Sequence, residues 1–224
     1  MRVFVAGATG ETGRRIVQIL HDRQIPVRAL VRDRSRAESI LPAGVDLVVG
    51  DVLDPAGLRT AIAGCTALII ATGARPSFDV TGPYRVDYEG TKHLVQAAQG
   101  TGVEHIVLVS SLCVSQFFHP LNLFWLVLFW KRQAEALIQR SGIAYTIVRP
   151  GGLKNEAVTL PLVMEPADTL FEGSIPRQQV AEVCVEALFQ PSARHKVVEV
   201  VARADAPLQA IGDAFARIPT LSCP

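Results

Sequence analysis

The sequence predicts an α/β fold organised around a doubly wound parallel sheet with helices on both faces, and three observations carry that expectation. Over the first 110 residues, short β-branched runs alternate with helical stretches. Those runs are continuously apolar, the pattern of strands covered on both faces. The stretches between them are long enough to be the right-handed crossovers that parallel strands require. The third observation is a glycine-rich turn that follows the first run at once.

In chain order, Arg2–Ala6 is the opening strand, and a helix is expected over Thr12–Arg23 after the turn. Pro26 introduces a strand over Val27–Val31, and Asp46–Val49 is the third. Asp54 is placed to cap a short helix to Ala63, with Pro55 at its first position and Gly64 ending it. Ala67–Ala71 and His105–Val109 are strands four and five, separated by a long amphipathic helix over Tyr84–Gly100. A helix over Leu123–Ser141 ending at Gly142, a strand over Tyr145–Val148, a helix over Gln178–Phe189 and a strand over Lys196–Val201 follow, with a tail helix over Leu208–Phe215. The stretch 151–178, with Pro161, Pro166 and Pro176, reads as a small irregular C-terminal cap. No repeat or linker interrupts the 224 residues, so one domain over 1–224 is expected. This is a Rossmann-like arrangement.

Hydrophobic residues at 49% and charged residues at 19% exclude a disordered chain. Lys plus Arg is 22 and Asp plus Glu is 21, and that balance argues against a nucleic-acid partner, which would call for a basic excess. Cys65, Cys113, Cys184 and Cys223 show no CxxC spacing, so reduced thiols in a cytosol-like compartment are expected, with no metal site. The opening MRVFVAGATG turns to glycine too early for a signal peptide. A cytoplasmic location is expected, or a plastid stroma-like one after removal of a transit peptide.

The turn reads Gly7-Ala8-Thr9-Gly10-Glu11-Thr12-Gly13. Gly7 permits a tight bend, Gly10 lets backbone N–H groups approach a diphosphate, and Gly13 lets helix and strand pack closely. The helix start adds unpaired donors and a partial positive charge. Strand, turn and helix in that order point to a dinucleotide; the alternative is a turn that only reverses the chain. Strand two ends in Val31-Arg32-Asp33-Arg34-Ser35-Arg36. Arg32 favours the 2′-phosphate of NADP, because a guanidinium holds phosphate through paired hydrogen bonds. Asp33 is the counter-evidence, unless it caps the next helix while the arginines form a solvated face. Arg14 and Arg15 either add positive potential near the phosphates or are plain helix surface.

These residues resemble those of an atypical short-chain dehydrogenase/reductase of the GATGxxG, NAD(P)H-binding type. The resemblance extends over residues 1–200 through GATGETG (7–13), VR (31–32), GDV (50–52), ATGA (71–74), VDYEGTKHLVQAA (86–98), VSS (109–111) and SGIAYTIVRPGGL (141–153). It implies that Thr9, Glu11 and Thr12 flank the diphosphate turn with the three glycines, that Asp51 and Val52 lie beside the adenine, and that Ala71, Thr72 and Gly73 run along the ribose. It further implies that Ser110 and Lys131 belong to the cofactor site and that the backbone of Pro150, Gly151, Gly152 and Leu153 lies near the nicotinamide. The chain is also similar to the flavin/biliverdin reductase-like branch and to NAD(P)-binding proteins of plastids and phototrophs, some of them enzymes and some assembly or redox-linked factors.

Ordinary members of that family use a Tyr-x-x-x-Lys pair, the lysine lowering the pKa of a proton-donating tyrosine. Tyr88 and Lys92 match that spacing but precede strand five, where the family pair follows it. The pair is therefore read as structural, with Tyr88 inward-facing or bordering the cofactor. In the expected place stands Lys131, but four residues before it is Val127, which transfers no proton. Lys131 either holds the nicotinamide ribose or pairs with Glu135 on the helix surface. Ser111 either orients a substrate carbonyl or bonds local backbone, and His119 is a lesser candidate acid. Hydride transfer without a protein acid suits acceptors protonated by water, such as flavins, bilins or quinone-like molecules. The alternative is a non-catalytic NADPH-binding assembly or redox-sensing factor.

Six of the fourteen aromatics lie between Phe117 and Trp130. The apolar run Leu123–Trp130 is eight residues, against the roughly 20 a membrane-spanning helix needs. As a helix apolar on every side it calls for burial. The readings are core plus homodimer seam, a pocket for a planar substrate, or a membrane-surface or protein-docking patch.

Overall fold

The computed structural model describes residues 1–74, 79–156 and 160–220. Residue Cys223 and the parts of the expected cap at 157–159 lie outside them. The strands are β1 (Val3–Ala6), β2 (Val27–Val31), β3 (Asp46–Val49), β4 (Ala67–Ile70), β5 (His105–Val109), β6 (Ala144–Pro150), β7 (Gly152–Lys154), β8 (Leu162–Pro166), β9 (Ser174–Pro176) and β10 (Lys196–Ala202). The helices are α1 (Glu11–Asp22), α2 (Arg34–Glu38), α3 (Pro55–Ile62), α4 (Gly90–Ala98), α5 (Val127–Gln139), α6 (Arg177–Ala187) and α7 (Ile211–Arg217). Eight strands form one sheet in the order β3-β2-β1-β4-β5-β6-β10-β8, parallel except for β8.

Burial on both faces is visible within β1. Val3 and Val5 join the core under α1 and α6, while Phe4 and Ala6 join the core under α3 and α4. The expected doubly wound α/β sheet is therefore what the apolar runs build. Strand order reverses at β1, which has β2 on one side and β4 on the other, so a crevice opens beyond the carboxyl ends of these strands.

Three stretches depart from expectation. The segment 151–178 is not simply irregular: β8 extends the sheet as an antiparallel edge strand on β10, and β7 pairs with β9 in a small parallel sheet. The fifth helix starts at Val127 rather than Leu123, because Trp125 and Leu126 adopt left-handed φ values of 56° and 57° after a single 3₁₀ turn at Pro120–Leu123. The long helix before β5 also opens with a π-helical segment at Pro83–Glu89.

Cys65, Cys113 and Cys184 are free and buried, and burial pushes the Cys184 thiol up to about 12. No helix among the described residues is long and apolar enough to cross a membrane.

A buried histidine makes the fold pH-sensitive. His105 on β5 meets the Thr146 hydroxyl at 2.9 Å, and that hydroxyl donates to the Ala193 carbonyl at 2.7 Å. His105 therefore donates from Nε2 as a neutral ring, and burial lowers its pKa to about 4. Its contribution is complete above the unfolded value and is lost as pH falls through the folded one. The full span is worth about 3 kcal/mol. Urea midpoints of the wild type are expected to fall between about pH 7 and about pH 5, and the fall should be smaller in His105→Gln.

Candidate functional site

The glycine turn is shaped by backbone contact. Gly7 has φ +82°, and a Cβ there would stand 2.6 Å from the Ala71 backbone at the end of β4. A Cβ on Gly13 would stand 2.1 Å from the Gly7 carbonyl oxygen, so α1 rests directly on the turn. Gly10 occupies the N-cap of α1 and supplies no capping side chain. The first-turn N–H groups of α1 therefore have no side-chain cap among the described residues, next to the Gly7, Thr9 and Gly10 wall of the crevice. Glu11 turns its carboxylate to Arg14 (2.8 Å) and Arg15 (3.0 Å), and the Arg15 hydrogen bond holds that carboxyl below its usual range. Both arginines are thus tied to their own helix surface.

The crevice encloses about 340 Å³. Gly7, Thr9, Gly10, Arg32, Asp51, Val52, Ala71, Thr72 and Gly73 all line it, with Gly50, Asp79 and Val86 among the others. At its β2 end, Arg32 is exposed and makes no ion pair among the described residues. Asp33 caps α2 by accepting the Arg36 N–H at 3.1 Å, and Arg34 bonds the Leu47 carbonyl at 2.8 Å. Asp51 accepts the Leu53 N–H at 2.9 Å.

Thr72 joins the crevice to a narrow cleft of about 10 Å³ that is also lined by Asp87, Thr91, Ser110 and Lys131. Its hydroxyl is buried with no hydrogen-bond partner among the described residues, the state of a polar atom that can receive one from a ligand. Lys131 does not pair with Glu135. Its ammonium donates to Asp87 at 2.7 Å, and Asp87 also accepts the Ala74 N–H at 3.2 Å. The buried Asp87 carboxylate thereby ties α5 to the strand-four loop. Ser110 and Lys131 share this cleft, while Glu11, Thr12, Gly13, Ser111 and Pro150–Leu153 line neither space.

Ser111 is half-buried, and its hydroxyl makes no local backbone bond among the described residues. His119 accepts the Leu121 N–H at 3.2 Å as the cap of the 3₁₀ turn. Tyr88 stacks in an aromatic group with Tyr84 and Trp130, and Lys92 is exposed. At the end of β6, the Pro150 carbonyl accepts from Leu112, while Gly151 and Gly152 donate to Val200 and Gly173.

Sequence reasoning missed a buried charge network behind Ser110. The Ser110 hydroxyl donates to Glu135 at 2.5 Å, and Arg149 grips Glu135 through Nη2 at 2.7 Å and Nε at 3.1 Å. Arg149 also reaches Asp168 at 2.9 Å and Glu199 at 3.3 Å. Although burial opposes the charge on Arg149, its carboxylate partners hold its pKa above the ordinary value. Glu199 accepts the N–H groups of Asp168, Thr169 and Leu170. Arg149 and Glu199 are register partners on β6 and β10. A charge inside each of two apolar runs, TIVRP and VVEVV, was the available signal.

Residues 7–191 match the NAD(P)H-binding family model. The chain is 49% identical to an uncharacterized chloroplast protein of Arabidopsis thaliana over 97% of its own length and 82% of that protein's. It is 38% identical to the chloroplast protein TIC 62 of Pisum sativum over 97% of its length, but spans only 46% of that relative. It is 32% identical to sanguinarine reductase of Eschscholzia californica, covering 89% of this chain and 88% of that one. A solved Bacillus halodurans structure, described as a candidate NAD-dependent epimerase/dehydratase, superposes with TM-score 0.86 at 28% identity, covering 96% of this chain and 98% of that one. With a glycine cradle at the switch point of a Rossmann-like sheet, the chain belongs to the NAD(P)H-binding family of atypical short-chain dehydrogenases/reductases.

Proposed function

We propose that the protein is an NADPH-dependent reductase that passes hydride to a planar conjugated acceptor of flavin, bilin or quinone type. The observation that carries the cofactor choice is at the end of β2. Arg32 lines the crevice with no ion pair among the described residues, while the neighbouring Asp33, which could have held ribose hydroxyls, caps α2 instead. That division of labour favours a 2′-phosphate. The orphaned Thr72 hydroxyl and the glycine cradle fit a dinucleotide.

When bound, the nicotinamide supplies the hydride. The N–H groups of the Gly7–Gly13 turn hold the diphosphate, Arg32 the 2′-phosphate, and Asp51 and Val52 the adenine side. Ala71, Thr72 and Gly73 run along the ribose, where Lys131 donates to a hydroxyl while Asp87 fixes its position. Ser110 supports that wall through Glu135, and Ser111 orients the acceptor at the end of β5. The Pro150–Leu153 backbone closes the nicotinamide side. Val127 provides no proton, so the reaction suits acceptors whose proton comes from water. A relative named as a reductase supports this class of activity, and the relatives named as chloroplast proteins support a plastid-type compartment over the cytoplasm.

Arg32→Ala is expected to weaken NADPH by about 1–3 kcal/mol, roughly five- to hundredfold, and to leave NADH nearly unchanged. Titrations with both nucleotides measure this, and equal weakening would remove the 2′-phosphate assignment. A second reading, a non-catalytic NADPH-binding assembly or redox-sensing factor, is favoured by Val127 and by the TIC 62 likeness. Following NADPH absorbance with flavins, bilins and quinones separates the two. Turnover supports the reductase, and tight binding without turnover supports the second reading.

A further inference from the structure

The loop between β5 and α5 holds apolar side chains away from the protein. Phe118 is 95% exposed, Leu123 82% and Phe124 63%, with Phe117 and Leu121 beside them. The loop is nevertheless built to hold this shape. Asn122 at its centre is buried, donating to the Phe117 carbonyl at 2.8 Å and accepting the N–H groups of Leu128 at 2.9 Å and Phe129 at 3.2 Å. His119 caps the 3₁₀ turn, and the left-handed pair Trp125 and Leu126 redirects the chain into α5. Left-handed backbone at two bulky residues is costly and needs support from its surroundings.

From His105 to Ala134 the chain contains no aspartate or glutamate. The cations there are Lys131, engaged by Asp87, and the exposed Arg132. We infer that this loop is a docking surface for a lipid bilayer bearing anionic headgroups. Phenylalanine and leucine side chains that stand clear of the surface can enter the headgroup–acyl boundary, while Arg132, exposed and without an ion pair among the described residues, meets negative charge. A groove-binding helical partner would instead call for a concave apolar site. The loop follows β5 at the carboxyl end of the sheet, and Trp130 just beyond it packs on Tyr84 and Tyr88 of the π-helical segment, whose Val86 lines the crevice. A docked molecule would thus hold its crevice close to the bilayer.

The test is flotation of the purified full chain with vesicles of equimolar phosphatidylcholine and phosphatidylglycerol, and with phosphatidylcholine alone. The wild type is expected to float with the anionic vesicles, and less with the neutral ones or at high salt. Phe118→Ser/Leu123→Ser/Phe124→Ser is expected to lower vesicle partitioning by about tenfold or more for each inserted side chain lost. Its thermal midpoint and NADPH affinity should match wild type, because none of the three residues touches the crevice. A folded wild type that stays out of both vesicle fractions would overturn the inference, as would a triple variant that floats like wild type. A wild-type dimer that the triple variant converts to monomer, with neither floating, would also overturn it by making this face a contact between copies.

Discussion

Gly13→Ala is expected to weaken NADPH binding on the order of a hundredfold and to lower the stability of the protein. Within a helix, replacing glycine by alanine ordinarily gains about 1 kcal/mol. Here the added carbon falls 2.1 Å from the Gly7 carbonyl oxygen and 3.1 Å from the Ala8 Cα. Both are backbone atoms, so no flexible side chain can yield. Either α1 lifts from β1 or the turn opens, and both movements displace the N–H groups at the start of α1. Overpacking of this kind costs about 1–3 kcal/mol, and an ångström of displacement at a ligand site costs on the order of a hundredfold. Urea denaturation and NADPH fluorescence titration measure the two effects. A stabilised variant with wild-type affinity would contradict an α1 start seated directly on the Gly7 carbonyl.

Arg149→Met is expected to destabilise the protein by about 3–5 kcal/mol, the usual consequence of removing one partner from a buried ion pair. The cost is local to one carboxylate. Glu199 keeps three backbone N–H donors after the change, whereas Glu135 keeps only the Ser110 hydroxyl. Adding Glu135→Gln should therefore recover a large part of the loss, because the uncompensated charge is gone. The single and double variants, compared by urea denaturation in a double-mutant cycle, measure that coupling. Losses that simply add would show that Arg149 and Glu135 do not act as a unit. The network also holds α5 against β6, so the single variant should bind NADPH more weakly through displacement of Lys131.

The parts of this molecule that were legible in its sequence are those decided by local chemistry. Val3–Ala6 reads as a doubly covered strand, the glycines of the turn mark a bend and a close helix approach by their own spacing, and Asp33 and Asp54 cap helices within two or three residues. What depended on strand order stayed hidden. Lys131 had an i+4 partner available in Glu135, yet each found another residue, because β6 brings Arg149 under α5 and the π-helical segment brings Asp87 beside it. The start of α5 was misplaced for a related reason. Asn122 serves the helix from six residues upstream of Leu128, outside the reach of ordinary capping rules, and the run Leu123–Leu126 that looked like buried helix is exposed loop.

Hydrogen exchange of the full chain with and without saturating NADPH tests the nucleotide assignment most directly. Bound nucleotide should slow the amides from Thr9 to Gly13, together with those at Arg32, Asp51 and Thr72. Unchanged exchange throughout the turn at saturation, or protection confined to another part of the molecule, would contradict a diphosphate seated at the start of α1.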